Sequence, residues 1–366
     1  MNRVVKTLKA FATRRLILTF DKVDFTYTHL SWKRLWNWFV AELSYVIGTD
    51  RAWAYPTHLQ FEPSNQCNLR CPLCHVVTDT KERGVLKLDD FKKIIDEIGD
   101  YLLFLHFWGW GEPFLNNEFF SMVKYARKKG IQIISSTNGH FFRNEEDIDR
   151  LIDSGLDVLI VALDGLDRET YEQYRELGDF DTVVDGLRML LERRRQRGAS
   201  LPRVNLRMLV TRENEEQVPQ MREFAEEIGA DMFTLKTLCS FDNQSKWETL
   251  VPSEPEYRRF EYDSSGEPIR VKNTCKKPWN HPVIYRDGTV VPCDYYTGQE
   301  FSLGNAFSND GEGFKRVWFG KDFRKLRRRF RKGHRSGLRC KECSLNYAGV
   351  DRCVSHVFVS SKEEYM

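Results

Sequence analysis

From residue 57 onward the chain alternates two kinds of pattern. Short runs of apolar, β-branched and aromatic residues give way to longer stretches in which apolar positions recur every three or four residues. The first kind predicts strands and the second predicts helices with one face on a core. Strands are expected at 57–63, 102–109, 130–137, 158–164, 203–210 and 232–238. Helices are expected at 89–98, 117–129, 145–153, 181–195 and 214–228. Six such units in succession imply a parallel sheet covered by helices. Right-handed crossovers then curl the sheet, and the C-terminal ends of its strands form one mouth. The fold class is α/β, a six-unit partial (β/α) barrel of the TIM type.

The pattern changes on both sides of this unit. Residues 1–55 mix basic and aromatic residues and predict an N-terminal helical extension, with one helix carrying Leu35, Trp36, Phe39, Val40 and Leu43 on a single face. That stripe either caps the domain behind it or, with Trp32, Trp36 and Trp38 beside Lys33 and Arg34, lies on a membrane surface. Residues 56–250 form the barrel. Residues 251–366 are rich in turns and short strands and predict a small cysteine-rich α+β domain. A basic run from Arg324 to Lys332 reads as a solvated helix face or as a contact for an anionic surface.

Composition narrows the class. With 366 residues, 41% hydrophobic and 30% charged, the chain has an ordinary globular make-up. A formal net charge of +3 gives no global field for nucleic acid, so that partner is not expected. No run approaches about 18 consecutive apolar residues, which leaves no spanning helix. Nine cysteines grouped at metal-ligand spacings argue for a reduced, cytoplasmic setting and against a disulfide framework. The membrane reading of the N-terminal helix would place such a protein at the inner surface.

The chemistry centres on Cys67, Cys71 and Cys74, spaced C-x3-C-x2-C after the first expected strand. Three thiolates can hold three irons of a 4Fe-4S cubane and leave the fourth open to chelate a small molecule. This loop, with Asn68-Leu69 after the first Cys and Pro72 after the second, resembles the radical S-adenosylmethionine (radical SAM) enzymes, although Leu73 stands where an aromatic residue is common. The resemblance covers about residues 57–240. It implies that the open iron binds the methionine portion of SAM, with Gly109, Gly111 and Glu112 receiving its ammonium. It further implies that Ser135, Thr137 and Asn138 contact ribose or carboxylate and that Asp164 lies near the adenosine. Arg207 either reaches the methionine carboxylate or forms a structural ion pair.

A second set comprises Cys275, Cys293, Cys340 and Cys343, with Cys353 beyond it. Four thiolates from two separated hairpins suit zinc or a second iron-sulfur cluster. The arrangement resembles the auxiliary-cluster domains called SPASM and, in shortened form, twitch. Gly349 occupies a position that is Cys in the full pattern, so the resemblance implies one auxiliary 4Fe-4S cluster on those four residues, with Cys353 spare. A less economical reading enlists Cys353 and His281. The function implied is that of a radical SAM oxidoreductase or maturase. It takes an electron from an external low-potential donor such as a flavodoxin or ferredoxin and cleaves SAM to a 5'-deoxyadenosyl radical. Hydrogen abstraction from a substrate then ends in oxidation or bond formation, with the auxiliary cluster accepting an electron. Two alternatives remain: an epimerase in which Cys239 donates a hydrogen atom, unless that thiol is simply buried, and a non-catalytic zinc-structured binding module.

Overall fold

The computed structural model describes residues 3–79, 81–238, 249–271, 275–294, 301–308, 313–331, 340, 343–349 and 354–359. Six parallel strands lie in chain order: β3 (His58–Phe61), β4 (Phe104–His106), β5 (Gln132–Thr137), β6 (Val158–Ala162), β7 (Arg203–Val210) and β8 (Met232–Thr237). Each is shorter than or equal to its expected run, because the residues that follow leave the sheet to build the mouth. Alternation along the strands sorts side chains into two layers. Leu59, Phe61, Leu105, Phe107, Ile133, Leu159, Val161, Leu206 and Met208 face outward into the main core. There they meet α4 (Leu88–Ile98), α5 (Phe119–Lys128), α6 (Glu145–Ser154), α8 (Phe180–Gln196) and α9 (Val218–Ile228). The inner layer holds Phe104, Ile134, Val158, Ile160 and Met232 at the N-terminal end and polar residues above them. Local signals close these helices as expected: Asn144 caps α6 by accepting from the Asp147 amide (2.9 Å), and Gly155 ends it at φ 73°.

The sheet does not close on itself. On the β3 side it continues through β9 (Val283–Ile284) and β10 (Val290–Val291), and on the β8 side through the antiparallel β11 (Val354–Val359). The C-terminal region therefore shares the barrel's sheet at both edges. The short helix α7 (Arg168–Tyr174), absent from the expected elements, carries the chain from β6 to α8.

The N-terminal extension differs from expectation. Between α1 (Arg3–Thr13) and α2 (Trp32–Ile47) it folds into a hairpin, β1 (Leu16–Phe20) and β2 (Val23–Tyr27). The two-residue turn Asp21-Lys22 takes positive φ at both positions (53° and 65°), as tight hairpins require. This hairpin plugs the N-terminal opening of the barrel. The Tyr27 hydroxyl donates to the Leu103 carbonyl (2.8 Å), Gln132 donates to the Thr26 carbonyl (2.8 Å) and Arg203 to the Asp24 carbonyl (2.9 Å). Phe20 and Phe25 pack on Phe104 at ring-centroid distances of 4.7 and 4.6 Å. Behind it α2 buries Leu35, Trp38 and Ala41, while Trp32 and Trp36 on its other face are each 59% exposed. In the basic helix Lys321–Arg331, Arg327 is not solvated. It is buried against Trp318 and Phe323 and donates to the Pro278 carbonyl (2.8 Å). Among the described residues no helix is long and apolar enough to cross a membrane.

Candidate active site

The loop after β3, which runs into the short helix α3 (His75–Thr78), brings Cys67, Cys71 and Cys74 to the mouth, and each sulfur meets a different segment. Asn138, after β5, points its amide nitrogen at Cys67 Sγ (3.9 Å) and at Asn68 Oδ1 (2.8 Å). Arg175, at the end of α7, approaches Cys71 Sγ (3.8 Å), and Cys74 Sγ lies 4.0 Å from the Trp110 carbonyl oxygen after β4. The thiols are close enough to act on one another. Burial pushes Cys74 up to about 11, and Cys71 and Cys67 add to the shift. Burial also raises Cys67. Crowded thiols of this kind ionise on binding a cationic metal, whose charge replaces the missing solvation. Three sulfurs on one loop, with an amide donor at Cys67 and a guanidinium at Cys71, suit a three-cysteine cluster.

Glu112 sits beside this loop, 5% exposed. Its Oε1 accepts from Thr137 Oγ1 (2.9 Å) and the Phe114 amide (3.1 Å), and its Oε2 accepts from the Asn138 amide (2.8 Å). Burial pushes its carboxyl up to about 7 against those three donors. The Asn138 side chain is itself oriented. His140 Nε2 accepts from the Asp179 amide (2.9 Å), so His140 Nδ1 carries the proton and donates to Asn138 Oδ1 (3.1 Å), leaving the amide nitrogen for Cys67.

The glycines before Glu112 permit close backbone approach. A Cβ on Gly109 would lie 2.6 Å from Glu62 Oε1, and one on Gly111 would lie 2.4 Å from the Ser64 carbonyl and 2.5 Å from that of Gln66. Because those carbonyls belong to the segment between β3 and Cys67, Gly111→Ala is expected to displace Cys67. The variant should bind less iron than wild type on reconstitution, with the deficit read by iron counting. An unchanged iron content would show that the loop can yield.

One expectation is corrected and one open alternative is decided. Ser135 is fully buried, points to the helix side and donates to the Phe107 carbonyl (2.8 Å), whereas Ser136 faces the cavity. Strand parity decides this, since adjacent residues face opposite ways. Arg207 does not approach the cysteines. It lies lower on the inner wall, paired with Asp21 and bonded to Thr234 Oγ1 (3.0 Å). The cation beside the cysteine loop is instead Arg175, which the sequence reading missed. Its Nε donates to Asp164 Oδ2 (2.6 Å), and Asp164 Oδ1 accepts from the Leu209 amide (2.7 Å). Burial opposes the charge of Arg175, but Asp164 and the Cys71 sulfur outweigh it and keep the guanidinium protonated. Cys239 and Cys353 lie outside the described residues.

These groups open on one cavity of about 560 Å³, lined at the top by Cys71, Cys74, Gly109, Asp164 and Arg175. Lys277, Asp294 and Leu345 of the C-terminal region close one wall. Cys275, Cys340 and Cys343 lie within electrostatic reach of one another; burial lifts Cys343 to about 11, with the other two adding. Cys293 and Cys340 pack on the same small cluster of Val283, Tyr285 and Val291. This four-thiol set suits a closed coordination shell. Trp110, whose carbonyl meets Cys74, also packs against that cluster. His281 is buried instead among Phe20, His58 and His106, in the barrel interior.

Comparison with known proteins agrees with this arrangement. Residues 61–225 match the model of the radical SAM superfamily, and residues 275–344 match that of the SPASM iron-sulfur cluster-binding domain. The chain is 26% identical over 278 residues to the tungsten-containing aldehyde ferredoxin oxidoreductase cofactor-modifying protein of Pyrococcus furiosus, covering 68% of this chain and 77% of that protein. It is 27% identical over 299 residues to the mycofactocin maturase MftC of Mycolicibacterium smegmatis, covering 76% and 74%. Among solved structures, Streptococcus suis SuiB bound to the precursor peptide SuiA superposes with a TM-score of 0.57 at 15% identity, covering 93% of this chain and 81% of that one. At that identity the likeness concerns the fold.

Proposed function

We propose that this chain, whose residues 61–225 and 275–344 match the radical SAM and SPASM models, is a radical SAM enzyme that modifies a substrate held in the central cavity by hydrogen abstraction followed by oxidation or bond formation. When bound, the three-cysteine cluster supplies the open iron and the electron that split S-adenosylmethionine into methionine and a 5'-deoxyadenosyl radical, and an auxiliary cluster supplies an acceptor for a further electron. The protein's part is position and exclusion of water. Glu112, an acceptor-only group when ionised, receives the methionine ammonium. Thr137 and the Asn138 amide hold that carboxylate in place. Arg175, fixed by Asp164, is the cation for the methionine carboxylate. Asn138 orders the cysteine loop through Asn68.

The observation that carries the reading is that Glu112, Asn138 and Cys67 form one bonded chain in the same loop system as Cys71 and Cys74, which line a cavity that Lys277, Asp294 and Leu345 of the C-terminal domain also line. Trp110, which meets Cys74 and packs on the cluster that Cys293 and Cys340 also reach, supports electron exchange between the two groups. The electron donor is an external low-potential protein of the flavodoxin or ferredoxin kind. The substrate is a molecule modified after its synthesis, as the names cofactor-modifying protein and maturase describe for the relatives. Anaerobic reconstitution is expected to load about eight irons per chain, and reduction with SAM should release 5'-deoxyadenosine. Fewer than about six irons, or no 5'-deoxyadenosine from a chain with Cys67, Cys71 and Cys74 intact, overturns the proposal; a colourless zinc protein would favour a structural role.

A second reading concerns where the enzyme works. Val5 and Leu8 on α1 and Trp32, Trp36, Leu43, Val46 and Ile47 on α2 are all exposed, although each is apolar. Arg14 lies over the Trp32 ring, and Arg328 of the basic helix reaches Asp50 just beyond α2. Aromatic and aliphatic side chains flanked by arginines suit an anionic lipid surface. Co-sedimentation with vesicles is expected to be stronger for phosphatidylglycerol than for phosphatidylcholine. A Trp32→Ser, Trp36→Ser double variant should bind about tenfold more weakly. Equal binding to both vesicle types would remove this reading.

A further inference from the structure

The lower end of the cavity is built by a segment to which the chemistry proposed above assigns no role. Phe20 and Asp21, at the tip of the β1–β2 hairpin, rise through the N-terminal opening of the barrel and line the cavity together with the inward-facing Gln60, His106, Arg207 and Lys236. Asp21 pairs with Arg207 Nη1, and Arg207 Nε donates to Thr234 Oγ1 (3.0 Å), which donates to Asn205 Oδ1 (2.9 Å). The guanidinium is thus clamped on two sides.

Its third nitrogen, Nη2, has no partner among the described residues, although Arg207 is only 8% exposed. Two neighbours share this condition. Gln60 gives its amide nitrogen to the Trp108 carbonyl (3.2 Å), which leaves Oε1 unpartnered. Neither ring nitrogen of His106 is bonded. Buried polar atoms are nearly always paired, by protein, water or ligand. Three such residues lining one cavity, Gln60 and His106 on the adjacent β3 and β4 and Arg207 on β7, mark a surface built for something that arrives later.

Charge states what that is. Although burial pushes the Asp21 carboxyl up, Arg207 and Lys236 outweigh it and hold it at about 2, so Asp21 is ionised. Burial drops His106 to about 3, which makes it a neutral imidazole with one N–H donor and one acceptor. Lys277 and Asp294 pair with each other at the side of the floor. Two cations, Arg207 and Lys236, thus act on Asp21.

We propose that this floor is a substrate subsite for a carboxylate, taken by Arg207 Nη2 with Lys236 balancing its charge. The His106 N–H supplies a further donor, and Gln60 Oε1 accepts from a hydroxyl or N–H next to the carboxylate. Asp21 competes with an incoming carboxylate for Arg207, whose fork Thr234 also holds. The N-terminal hairpin is then part of the substrate site and sets how far a substrate descends below SAM. This rests on the cavity being the reaction chamber. Arg207 is separate from the SAM end, where Arg175 stands beside Cys71.

The test uses the reconstituted full chain with SAM and a small probe, glutarate, at constant ionic strength. Glutarate should raise the melting temperature saturably, as a ligand of the folded state does, whereas neutral glutaramide and inorganic phosphate should not. Arg207→Gln is expected to weaken glutarate about tenfold and Asp21→Asn to strengthen it about tenfold, the opposite signs following from loss of a charge-assisted donor and loss of a competing anion. Arg207→Lys should lie between wild type and Arg207→Gln, and a surface control, Arg188→Gln, should match wild type. A merely structural pair would move both floor variants the same way. That result, a missing glutarate response in the wild type, or an equal response to phosphate overturns the proposal. Release of 5'-deoxyadenosine measured on the same samples separates this outcome from failure of the radical SAM reading.

Discussion

Glu112→Gln is expected to lower 5'-deoxyadenosine formation by about two orders of magnitude while leaving iron content near the wild-type value. The carboxylate receives three donors, from Thr137 Oγ1, the Phe114 amide and the Asn138 amide, and keeps a lone pair for one more. A glutamine in the same place must turn its NH2 toward one of those amides or toward the incoming ammonium. Either way a charge-assisted bond is replaced by a donor facing a donor, and two such losses at about 1.5 kcal/mol each amount to roughly a hundredfold. The cysteine sulfurs are not bonded to Glu112, which is why iron loading should survive. The pH dependence is a second signature. Burial raises the carboxyl from its ordinary 4.5 to about 7 in the SAM-free protein. Its contribution to folding is therefore present below about 4.5 and is lost as pH rises to about 7. Ammonium binding runs the other way because it needs the ionised form. SAM affinity should rise as pH increases through about 7 and then level off. Anaerobic titration calorimetry on either side of that value reads the rise, and in Glu112→Gln it should be absent.

The parts of this site that the sequence made legible are those in which chemistry and spacing are local. The outward stripe on each strand is a near-continuous apolar run, such as Leu206 and Met208 alternating with Asn205 and Arg207 on β7, because both faces of a covered parallel sheet are buried. Cys67, Cys71 and Cys74 lie within one turn-rich loop, and Gly111-Glu112 follows a strand directly, so their position at the mouth needs no long-range information. What was lost is non-local. Ser135 and Ser136 differ by one residue, and only the register of β5 against β4 and β6 says which one faces inward. Arg207 and Asp21 are 186 residues apart. Nothing near Arg175 announces that a seven-residue helix will return it to Cys71. The hairpin is a different case, since Val23, Phe25 and Tyr27 alternate with Asp24 and Thr26 and give the buried-exposed pattern of a strand. That signal was present but was masked by the basic and aromatic residues on either side.

Asp164→Asn should produce the largest loss of stability, about 3–5 kcal/mol, because it leaves a buried guanidinium without its counter-charge. Asp164 is fully buried and Arg175 has little exposure, so water cannot replace the lost partner. The asparagine keeps the shape and can still accept from the Leu209 amide through its oxygen. Its nitrogen would then face Arg175 Nε, donor against donor. Without Asp164, the Cys71 sulfur remains as the negative group close to Arg175, so the guanidinium is expected to shift toward it and disturb iron loading as well. Arg175→Met alone strands the carboxylate instead and should cost a similar amount. Combining the two removes both charges, and the double variant is expected to be more stable than the sum of the single changes predicts, by at least about 1 kcal/mol. Urea midpoints of the reconstituted protein provide the measurement. A single Asp164→Asn variant within about 0.5 kcal/mol of wild type would falsify the claim that this pair is desolvated, and with it the idea that Asp164 fixes the cation beside Cys71. Recovery in the double variant without recovery of SAM cleavage would separate the two duties of Arg175: its charge is tolerated in the fold because of Asp164, and it is needed there because of what binds at the cysteine loop.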